Sequence, residues 1–488
     1  MKLNQETLAI LPSFVRKPLY DRDIVNPSIV HIGVGNFHRA HQAFYLDTLL
    51  NNNDTDWSIC GMGVKPVDKR IYRLLKEQDF LYTLVVKHAA GEIESRVIGA
   101  ITDFIFVPDN PIAAIEKLSD GQTKIVTLTI TEGGYNFDQN GEFITDNPDI
   151  EWDISHPGAP KTVFGLMAAA LKIRMEENIP AFTIVSCDNI QHNGDVVRKM
   201  LLSFTNMIDK SLSEWMQANV CFPNSMVDRI TPVTSSNDIE LLYRETGIED
   251  SLPVTCEPYI QWVLEDNFSN DRPAWEKVGV QFTTDIEPFE KMKIRLLNAG
   301  HSLLGMIGLL YGYTTVDEAI NDSDIQKLLR AFFDTEVTPI LGTIENINLN
   351  EYKDSLIERF KNPNIKDQLT RICSESSAKL PKFLIPTIRE QLEKNGPIEY
   401  SALILSAWCR LMELHGQEVN NYQFDDEMLD MLKKNAKSSA EDDPMMFLQI
   451  SSVFGDLVNN DRFVETYLNS LENIRKCGIK KIVNQLIE

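Results

Sequence analysis

Four polar residues interrupt a strongly apolar part of the sequence, and their types suit acid–base chemistry. They are Glu290, Lys293, Asn298 and His301. An α-helix turns about 100° per residue, so this spacing places all four side chains within one sector of a helix surface. Polar groups on such an apolar helix must find partners or take part in chemistry.

These residue types would serve the oxidation of a secondary alcohol. A lysine in apolar surroundings loses its charge more readily and can accept the hydroxyl proton near neutral pH. An asparagine amide can donate a hydrogen bond to the developing alkoxide, and a histidine can orient a neighbouring hydroxyl. A surface lysine followed by a core histidine would show the same spacing, so the pattern alone leaves both interpretations open.

A glycine turn near the N-terminus follows an apolar run that ends at Ile32. Gly33 permits a tight turn, and Gly35 allows close backbone approach to a pyrophosphate at a helix N-terminus. His38 occupies the place of a third glycine, and Arg39 adds a cation that can reach a phosphate. An ordinary glycine turn would give the same pattern. The predicted cofactor-binding residues are Ile32, Gly33, Val34, Gly35, Asn36, Phe37, His38, Arg39 and Asp68.

Asp68 follows the second predicted strand, where the adenosine ribose of a dinucleotide would lie. An acid there accepts hydrogen bonds from the ribose 2′-hydroxyl and repels a 2′-phosphate, which favours NAD over NADP. Lys65 and Lys69 lie nearby and point the other way, because cations can hold a 2′-phosphate.

Two further clusters could serve a ligand. Asn189 lies just after a predicted strand, at the end of the sheet where ligands bind, and could be a second alkoxide donor or a capping residue. Arg371, Lys379 and Lys382 form a cationic set that suits a polyhydroxyl or anionic ligand, or a solvated turn.

The composition excludes several classes of function. The formal net charge of −24 disfavours nucleic acid and anionic membranes and indicates a small-molecule partner. Seven scattered cysteines without a C-x-x-C pair, and an N-terminus without a secretory apolar region, predict a cytoplasmic protein. The apolar stretch 296–313 contains polar residues and glycines, so we expect a buried helix. We expect no metal, because zinc-type Cys/His spacing and H-E-x-x-H are absent from the sequence.

The order of elements predicts an α/β N-terminal Rossmann-type domain with a mostly parallel, doubly wound sheet, followed by a mainly α-helical C-terminal domain. We place the domains at 1–287, for NAD binding, and 288–488, for substrate binding and catalysis. Strands are predicted at 28–32, 56–62, 124–131 and 181–186, with a helix at 39–50. Later helices are predicted at 291–310, 322–333, 351–359, 365–374 and 403–414.

Many segments in register make the chain recognisable, among them HIGVGNFHRAHQAFYLD, TLTITEGGYNFD, PAFTIVSCDNIQHNG, FPNSMVDRITP and KIRLLNAGH. The chain resembles the polyol-specific long-chain dehydrogenases, the mannitol dehydrogenase and fructuronate reductase family. The resemblance implies NAD-dependent, metal-free oxidation of a polyol, with D-mannitol and D-fructose as the expected pair. A fructuronate (hexuronate) reductase and an arabinitol dehydrogenase remain alternatives, and a non-catalytic nucleotide-binding sensor is the alternative of another class. A monomer or weak oligomer is expected.

The resemblance also implies residue roles. Lys293 corresponds to the general base, Asn298 and Asn189 to the donors that stabilise the oxyanion, His301 to the residue that orients the substrate, and Glu290 to a residue of proton exchange with solvent. The positions that correspond to polyol contacts are Asp228, Arg371 and Lys379. Two departures stand out: Val67 where an acid often precedes Asp68, and Ala299-Gly300 where relatives commonly have Gly-Ser.

Overall fold

Short runs rich in β-branched residues form the strands of a first unit, Met1–Glu287, and a second unit spans Pro288–Glu488. The computed structural model describes residues 1–52, 56–138, 140–416, 423 and 425–488. None of the described helices combines the length and the apolar character that crossing a bilayer requires.

The first unit alternates strands with helices along the chain. Its strands are β1 (Ile29–Ile32), β2 (Ile59–Gly63), β3 (Tyr82–Lys87), β4 (Ile93–Ile98), β5 (Ile101–Phe106), β6 (Ile125–Leu128), β7 (Thr183–Ser186), β8 (Ser225–Asp228), β9 (Val254–Cys256), β10 (Gln261–Glu265) and β11 (Gln281–Thr283). Its helices are α1 (Asn36–Ala40), α2 (Gln42–Asn51), α3 (Lys69–Lys76), α4 (Pro111–Ser119), α5 (Pro148–Ser155), α6 (Val163–Glu177), α7 (Asn193–Ile208), α8 (Lys210–Asn219) and α9 (Ser236–Thr246).

The central sheet has the strand order β5-β2-β1-β6-β7, and all its strand pairs are parallel. From β1 the chain adds β2 and then β5 on one side of the sheet, and it then returns to add β6 and β7 on the other side of β1. The neighbouring ends of β1 and β6 therefore form the switch point at which open α/β sheets bind ligands. The predicted Rossmann-type fold is confirmed, whereas β5 was missed. Its sequence, ITDFIF, includes Thr102 and Asp103 and so lacks an uninterrupted apolar run.

Both faces of this sheet are covered, which explains why its strands have no polar alternation. In β1, Val30 and Ile32 belong to a core cluster shared with α4, α6 and α7. Ile29 and, just beyond the strand, Val34 belong to the cluster on the other face, shared with α2. The predicted helix 39–50 is interrupted at His41, whose ψ of −87° is not helical, so α1 and α2 are separate.

Two smaller sheets complete the first unit. One has the order β4-β3-β9, and the other has the order β11-β10-β8. Strand β8 runs antiparallel to β10, with Asp228 opposite Gln261.

The second unit is helical in its described residues. Its α-helices are α10 (Glu287–Met292), which begins on the last residue of the first unit, α11 (Ala299–Tyr311), α12 (Val316–Asn321), α13 (Ser323–Phe332), α14 (Thr338–Leu341), α15 (Leu349–Phe360), α16 (Leu369–Cys373), α17 (Ser376–Phe383), α18 (Ile385–Glu393), α19 (Glu399–Leu414), α20 (Leu429–Glu441), α21 (Ser451–Phe454), α22 (Asp461–Cys477) and α23 (Ile479–Ile487). The predicted helix 365–374 is shorter, because Lys366 has a left-handed φ of +52°.

Two stretches of π-helix were not predicted. The first π segment, Lys293–Asn298, joins α10 to α11 without a break, and the second π segment, Phe333–Val337, joins α13 to α14. A π turn closes its hydrogen bond between residues five apart, and such segments occur frequently at functional sites. The predicted helix 291–310 is therefore wound differently at the residues that carry the expected chemistry.

Candidate active site

The turn after β1 contains two glycines that the structure explains differently. Gly33 has a φ of +95°, and a Cβ atom there would lie 2.1 Å from the carbonyl oxygen of Thr129, so this position accepts only glycine. A Cβ atom at Gly35 would meet nothing closer than the carbonyl oxygen of Gly33, at 3.8 Å. The space beside Gly35 is thus open, as backbone approach by a pyrophosphate requires.

A cavity of about 800 Å³ lies at this turn, within the first unit. That volume is in the usual range of small-molecule and cofactor sites. Five of the predicted cofactor-binding residues line it, namely Ile32, Gly33, Val34, Gly35 and Asp68, whereas residues 36–39 are not among its described lining residues. The cavity therefore connects the glycine turn with the acid predicted to bind the ribose.

Asp68 is fixed at the rim of this cavity, where it precedes α3. Its carboxylate accepts a hydrogen bond from the backbone N–H of Lys65 at 2.9 Å. Lys69, one of the two cations that could hold a 2′-phosphate, pairs instead with Asp109 at 3.1 Å. Lys65 does line the cavity. A fixed carboxylate and one paired lysine favour a ribose hydroxyl over a 2′-phosphate.

His38, at the third position of the glycine pattern, lies in the interior and not at the cavity. Its ring stacks on that of His31 with centroids 3.4 Å apart. Burial holds the pKa of His38 well below its ordinary value and lowers the pKa of His31 to about 3, so both rings are neutral. The His31 ring is hydrogen-bonded to Thr127 at 2.7 Å and to Thr129 at 2.9 Å. The structure thus places His38 in the support behind the turn.

Arg39 does not extend toward a phosphate as predicted. Its guanidinium is buried and donates hydrogen bonds to the carbonyl oxygen of Leu252 at 2.5 Å, the carbonyl oxygen of Gly35 at 3.2 Å and the side chain of Asn36 at 2.7 Å. These bonds fasten α1 to the segment before β9. Arg39 and Asn36 therefore stabilise the turn, and Phe37 beside them is half-buried.

Asn189 is exposed in the loop after β7. Its neighbour Asp188 accepts hydrogen bonds from the backbone N–H groups of Ile130 and Thr131, both at 2.9 Å. The loop that carries Asn189 is thereby tied to the loop after β6, which lines the cavity.

Asp228, a predicted substrate contact, is the buried last residue of β8.

Lys293 and Glu290 are buried in the second unit, with exposed fractions of 7% and 4%. Lys293 begins the first π segment and Asn298 ends it. A π turn links residues five apart through the backbone, whereas the α-helical pattern separates residues 293 and 298 by about 140° around the helix axis. The predicted base and the predicted oxyanion donor are therefore the first and last residues of one π segment, which the sequence did not indicate.

The side-chain amide of Asn298 has a property expected of a ligand donor. Its Nδ2 atom is buried, and no hydrogen-bond partner for it is found within the described chain. Such groups are costly unless they serve a function. His301 lies one helical turn further on in α11, with its ring 4.6 Å from the ring of Phe360.

The cationic residues Arg371 and Lys379 are both engaged by protein oxygens. Arg371 donates to the two carboxylate oxygens of Asp367 at 2.6 and 2.5 Å. Lys379 donates to the carbonyl oxygen of Ser374 at 2.6 Å, and burial lowers its pKa. Helix α17, which carries Lys379, packs against the first π segment. Lys379 thus lies on a helix that packs against the segment of Lys293. Arg371 and Lys379 are less available to a charged ligand than the sequence suggested, because protein oxygens already bind both.

Sequence reasoning gave no role to two acids that organise these groups. Asp188 belongs to the polar cluster 186–189 and lies two positions after the buried strand β7, at the edge of the sheet where ligands bind. Asp367 precedes Arg371 by four positions, the spacing of an ion pair along one helix face. Both signals were present in the sequence.

A cofactor-sized cavity at the switch point of a parallel sheet, in a chain that also buries a lysine in the same π segment as an asparagine amide nitrogen without a partner among the described residues, is typical of a dinucleotide-dependent dehydrogenase. Residues 27–277 match the family model described as the mannitol dehydrogenase Rossmann domain, and residues 285–475 match that of the mannitol dehydrogenase C-terminal domain. The chain belongs to the mannitol dehydrogenase family. The predicted resemblance is thereby confirmed.

Curated relatives agree over the whole length. The chain is 42% identical to a mannitol 2-dehydrogenase of Phaeosphaeria nodorum, covering 99% of this chain and 85% of the relative. It is 41% identical to a mannitol 2-dehydrogenase of Neosartorya fischeri, over 100% and 99%. It is 40% identical to the mannitol dehydrogenase DSF1 of Saccharomyces cerevisiae, over 99% and 98%.

Two solved structures share the fold. One is the Pseudomonas fluorescens mannitol 2-dehydrogenase in ternary complex with NAD and D-mannitol, with 43% identity, a TM-score of 0.90 and coverage of 100% of this chain and 99% of that chain. The other is a D-sorbitol dehydrogenase in substrate-free form, with 36% identity, a TM-score of 0.91 and coverage of 99% and 100%. The predicted class, an NAD-dependent polyol dehydrogenase, is confirmed by these relationships.

Proposed function

We propose that this enzyme oxidises D-mannitol at C2, converting D-mannitol and NAD⁺ to D-fructose, NADH and a proton. The observation that carries the proposal is the buried Lys293, followed one π turn later by Asn298, whose buried amide nitrogen has no partner within the described chain. The Pseudomonas fluorescens relative, 43% identical over the whole of this chain, holds NAD and D-mannitol. Its substrate is therefore the first candidate.

The cofactor site of the proposal is the cavity of the first unit. Gly33 and Gly35 would receive the pyrophosphate, and Asp68 would accept the ribose hydroxyls. NAD⁺ supplies the acceptor for the hydride that leaves the carbinol carbon. The open space beside Gly35, where even an added Cβ atom would stay 3.8 Å from its nearest neighbour, leaves room for the approach that this requires.

The second unit supplies the groups that handle the proton and the oxygen. A buried amine resists charging, so Lys293 in its neutral form accepts the hydroxyl proton as the ketone forms. Asn298 donates from Nδ2 to the negative oxygen, and Asn189 is proposed as a second donor. His301 orients the substrate, and Glu290 exchanges the proton with solvent.

We further propose that the reaction needs no metal. Among the described residues, no group of three or more His, Cys, Asp or Glu side chains is arranged to hold an ion. The amine and the amides take the roles that a Lewis acid has in zinc alcohol dehydrogenases.

The state of Arg371 favours a polyol over a hexuronate. A carboxylate substrate needs a cation to pair with, and Arg371 is already paired with Asp367 through two hydrogen bonds. Lys379 is likewise held by a backbone carbonyl. A neutral polyol needs only hydrogen-bond donors and acceptors, which this arrangement provides.

The deciding experiment assays the purified enzyme with fructose and fructuronate side by side, each with NADH and with NADPH. We expect the highest kcat/KM for fructose with NADH. A higher value for fructuronate would replace the proposal by the hexuronate reductase. In a parallel oxidative assay of mannitol and arabinitol with NAD⁺, a preference for arabinitol would replace it by the arabinitol dehydrogenase. NAD binding without turnover on any polyol would identify a nucleotide-binding sensor.

A cytoplasmic location and a monomeric or weakly oligomeric state complete the proposal. The seven cysteines are all free thiols, as in a reducing compartment. Size-exclusion chromatography with light scattering at several concentrations measures the oligomeric state directly.

A further inference from the structure

The carboxylate of Asp188 holds together two loops at the edge of the central sheet. It follows β7 and accepts hydrogen bonds from the N–H groups of Ile130 and Thr131 at 2.9 Å each, in the loop after β6. The buried hydroxyl of Tyr135 donates to the same carboxylate at 2.6 Å. Three donors on one partly buried carboxylate make a strong, charge-assisted clamp.

The clamp holds a strained backbone. Thr131 has a φ of +60° and a ψ of 165°, a region that essentially only glycine occupies. The strain is greatest for a β-branched residue, because its Cβ substituents crowd the backbone. Such a conformation persists only where the surroundings hold it, and the hydrogen bond from the Thr131 N–H to Asp188 does so.

The strained turn is part of the cofactor cavity. Thr129, Ile130 and Thr131 line the cavity together with Gly33. Thr129 donates from its hydroxyl to the carbonyl oxygen of Gly33 at 2.7 Å, and no side chain fits between the two backbones. A shift of the Thr131 turn would therefore move the glycine turn as well.

We propose that Asp188 is a positioning residue for the cofactor: by holding the Thr131 turn in its strained conformation, it keeps the dinucleotide cavity formed before NAD binds. The inference rests on the proposed function, because it takes the cavity to be the NAD site. Asp188 touches backbone and Tyr135 and acts through them. Pre-formed sites bind more tightly because ordering is complete before the ligand arrives.

The test is Asp188→Asn, with affinity for NAD measured by titration and by KM. Asparagine offers one acceptor where the carboxylate offers two, and its NH2 group opposes a backbone donor. We expect the Kd and KM for NAD to rise about tenfold, which is the size of effect that a lost charge-assisted hydrogen bond gives.

Asp47→Asn is the matched control. Asp47 is also a buried carboxylate of the first unit, and it accepts from the hydroxyl of Tyr20 at 2.7 Å and the N–H group of Gly99 at 2.9 Å, but it is not among the described residues that line the cavity. We expect this variant to lower the melting temperature without changing the KM for NAD. An equal rise in KM for both variants would mean general loosening and would overturn the inference.

A double-mutant cycle tests the strain itself. Glycine adopts the Thr131 conformation freely, so Asp188→Asn should raise the Kd for NAD much less in a Thr131→Gly background than in the wild type. Equal effects in both backgrounds, or an unchanged Kd in Asp188→Asn, would refute the clamp. If Asp188→Asn does not fold, Tyr135→Phe tests the clamp instead, because it removes one of the three donors to Asp188. We expect a smaller rise in the Kd for NAD, and an unchanged Kd would refute the clamp. A wild type that binds NAD but turns over no polyol would refute the proposed function and leave the clamp testable.

Discussion

At the residue scale, the proposed chemistry depends on one buried amine. We expect Lys293→Met to lower kcat by about 100-fold or more at every pH, because a thioether cannot accept a proton. The fold should persist, since methionine suits the buried position. Steady-state kinetics and thermal melting measure the two effects.

Lys291→Met is the control for this prediction. Lys291 lies two positions away and pairs with Glu390 at 2.7 Å, near the surface. Its loss should leave kcat within a few-fold of the wild type, because Lys291 has no role in the proposed reaction. The lost ion pair should cost about 1 kcal/mol or less of stability. Wild-type turnover in Lys293→Met would remove the amine from the mechanism.

A second residue-scale prediction concerns the amide without a partner. Within the described chain, Asn298→Ala removes no hydrogen bond donated by Nδ2, so we expect little loss of thermal stability. If the amide donates to the alkoxide, kcat falls by about 10²–10³-fold. A large drop in melting temperature with an unchanged kcat would instead show that Asn298 is structural.

Residue identity predicted which residues line the cavity where the determining contacts are local. Gly33 and Asp68 lie within a few positions of the strand ends that carry them, so the pattern of strand, turn and acid sufficed to place them at the cavity. Arg39 could not be placed in this way, because its partner Leu252 lies 213 positions away in the sequence. An arginine after a glycine turn has the same local context whether it turns toward a phosphate or into the core.

At the element scale, helix α11 explains the departure from the Gly-Ser sequence of relatives. A Cβ atom at Gly300 would lie 2.8 Å from the ring of Phe333, in the second π segment. Gly300→Ser should therefore destabilise the protein by about 1–3 kcal/mol, as overpacking does. Denaturation in urea measures the free energy of unfolding.

The compensating variant sharpens this prediction. Phe333→Leu removes ring atoms at the contact, so Gly300→Ser should be less destabilising in that background than in the wild type. Additive losses in the double variant would show that Phe333 does not limit the space at position 300.

The first π segment shows what periodicity cannot predict. A buried helix has apolar residues on most of its faces. Its sequence therefore shows nearly the same spacing of apolar residues whether a turn is α-helical or wound more loosely. The helix and its polar residues were predictable from the pattern, whereas the relation between Lys293 and Asn298 depends on winding that only the backbone shows.

At the scale of the whole molecule, one buried acid gives the second unit a distinctive response to pH. Glu336 accepts hydrogen bonds from the N–H groups of Tyr400 at 2.7 Å and Ser401 at 2.9 Å, and burial raises its pKa from 4.5 to about 8. Folded Glu336 thus keeps its proton where unfolded Glu336 ionises. Its contribution to stability is complete below pH 4.5 and is lost as the pH rises toward 8.

We therefore expect the free energy of unfolding to fall more steeply between these pH values in the wild type than in Glu336→Gln. The difference in slope should reach about 1.4 kcal/mol per pH unit at most. Glu358→Gln, at an exposed glutamate of α15, should leave the slope unchanged. Parallel stability curves for the wild type and Glu336→Gln would contradict the prediction.

The architecture of the whole chain was predictable because its signals are long and repeated. Alternating strands and helices indicated the parallel sheet, and the loss of strand-like runs after residue 287 indicated the helical second half. The two small sheets were missed. Strands β9 and β11 have only three residues each and depend on distant partners, whereas β3 and β4 have six residues each and pair as neighbours in the sequence, so their hairpin had a local signal.

The pairing of Arg371 with Asp367 has a consequence for how the enzyme responds to ionic strength. With that cation already matched and a net charge of −24, nothing in the described arrangement draws in a charged sugar from a distance. At saturating NADH, kcat/KM for fructose should stay level as potassium chloride is added, while added salt should raise it for fructuronate by screening repulsion. A steep fall for fructuronate would instead reveal a long-range attraction to an unmatched cation, whereas the neutral sugar reaches the enzyme by diffusion at any salt concentration.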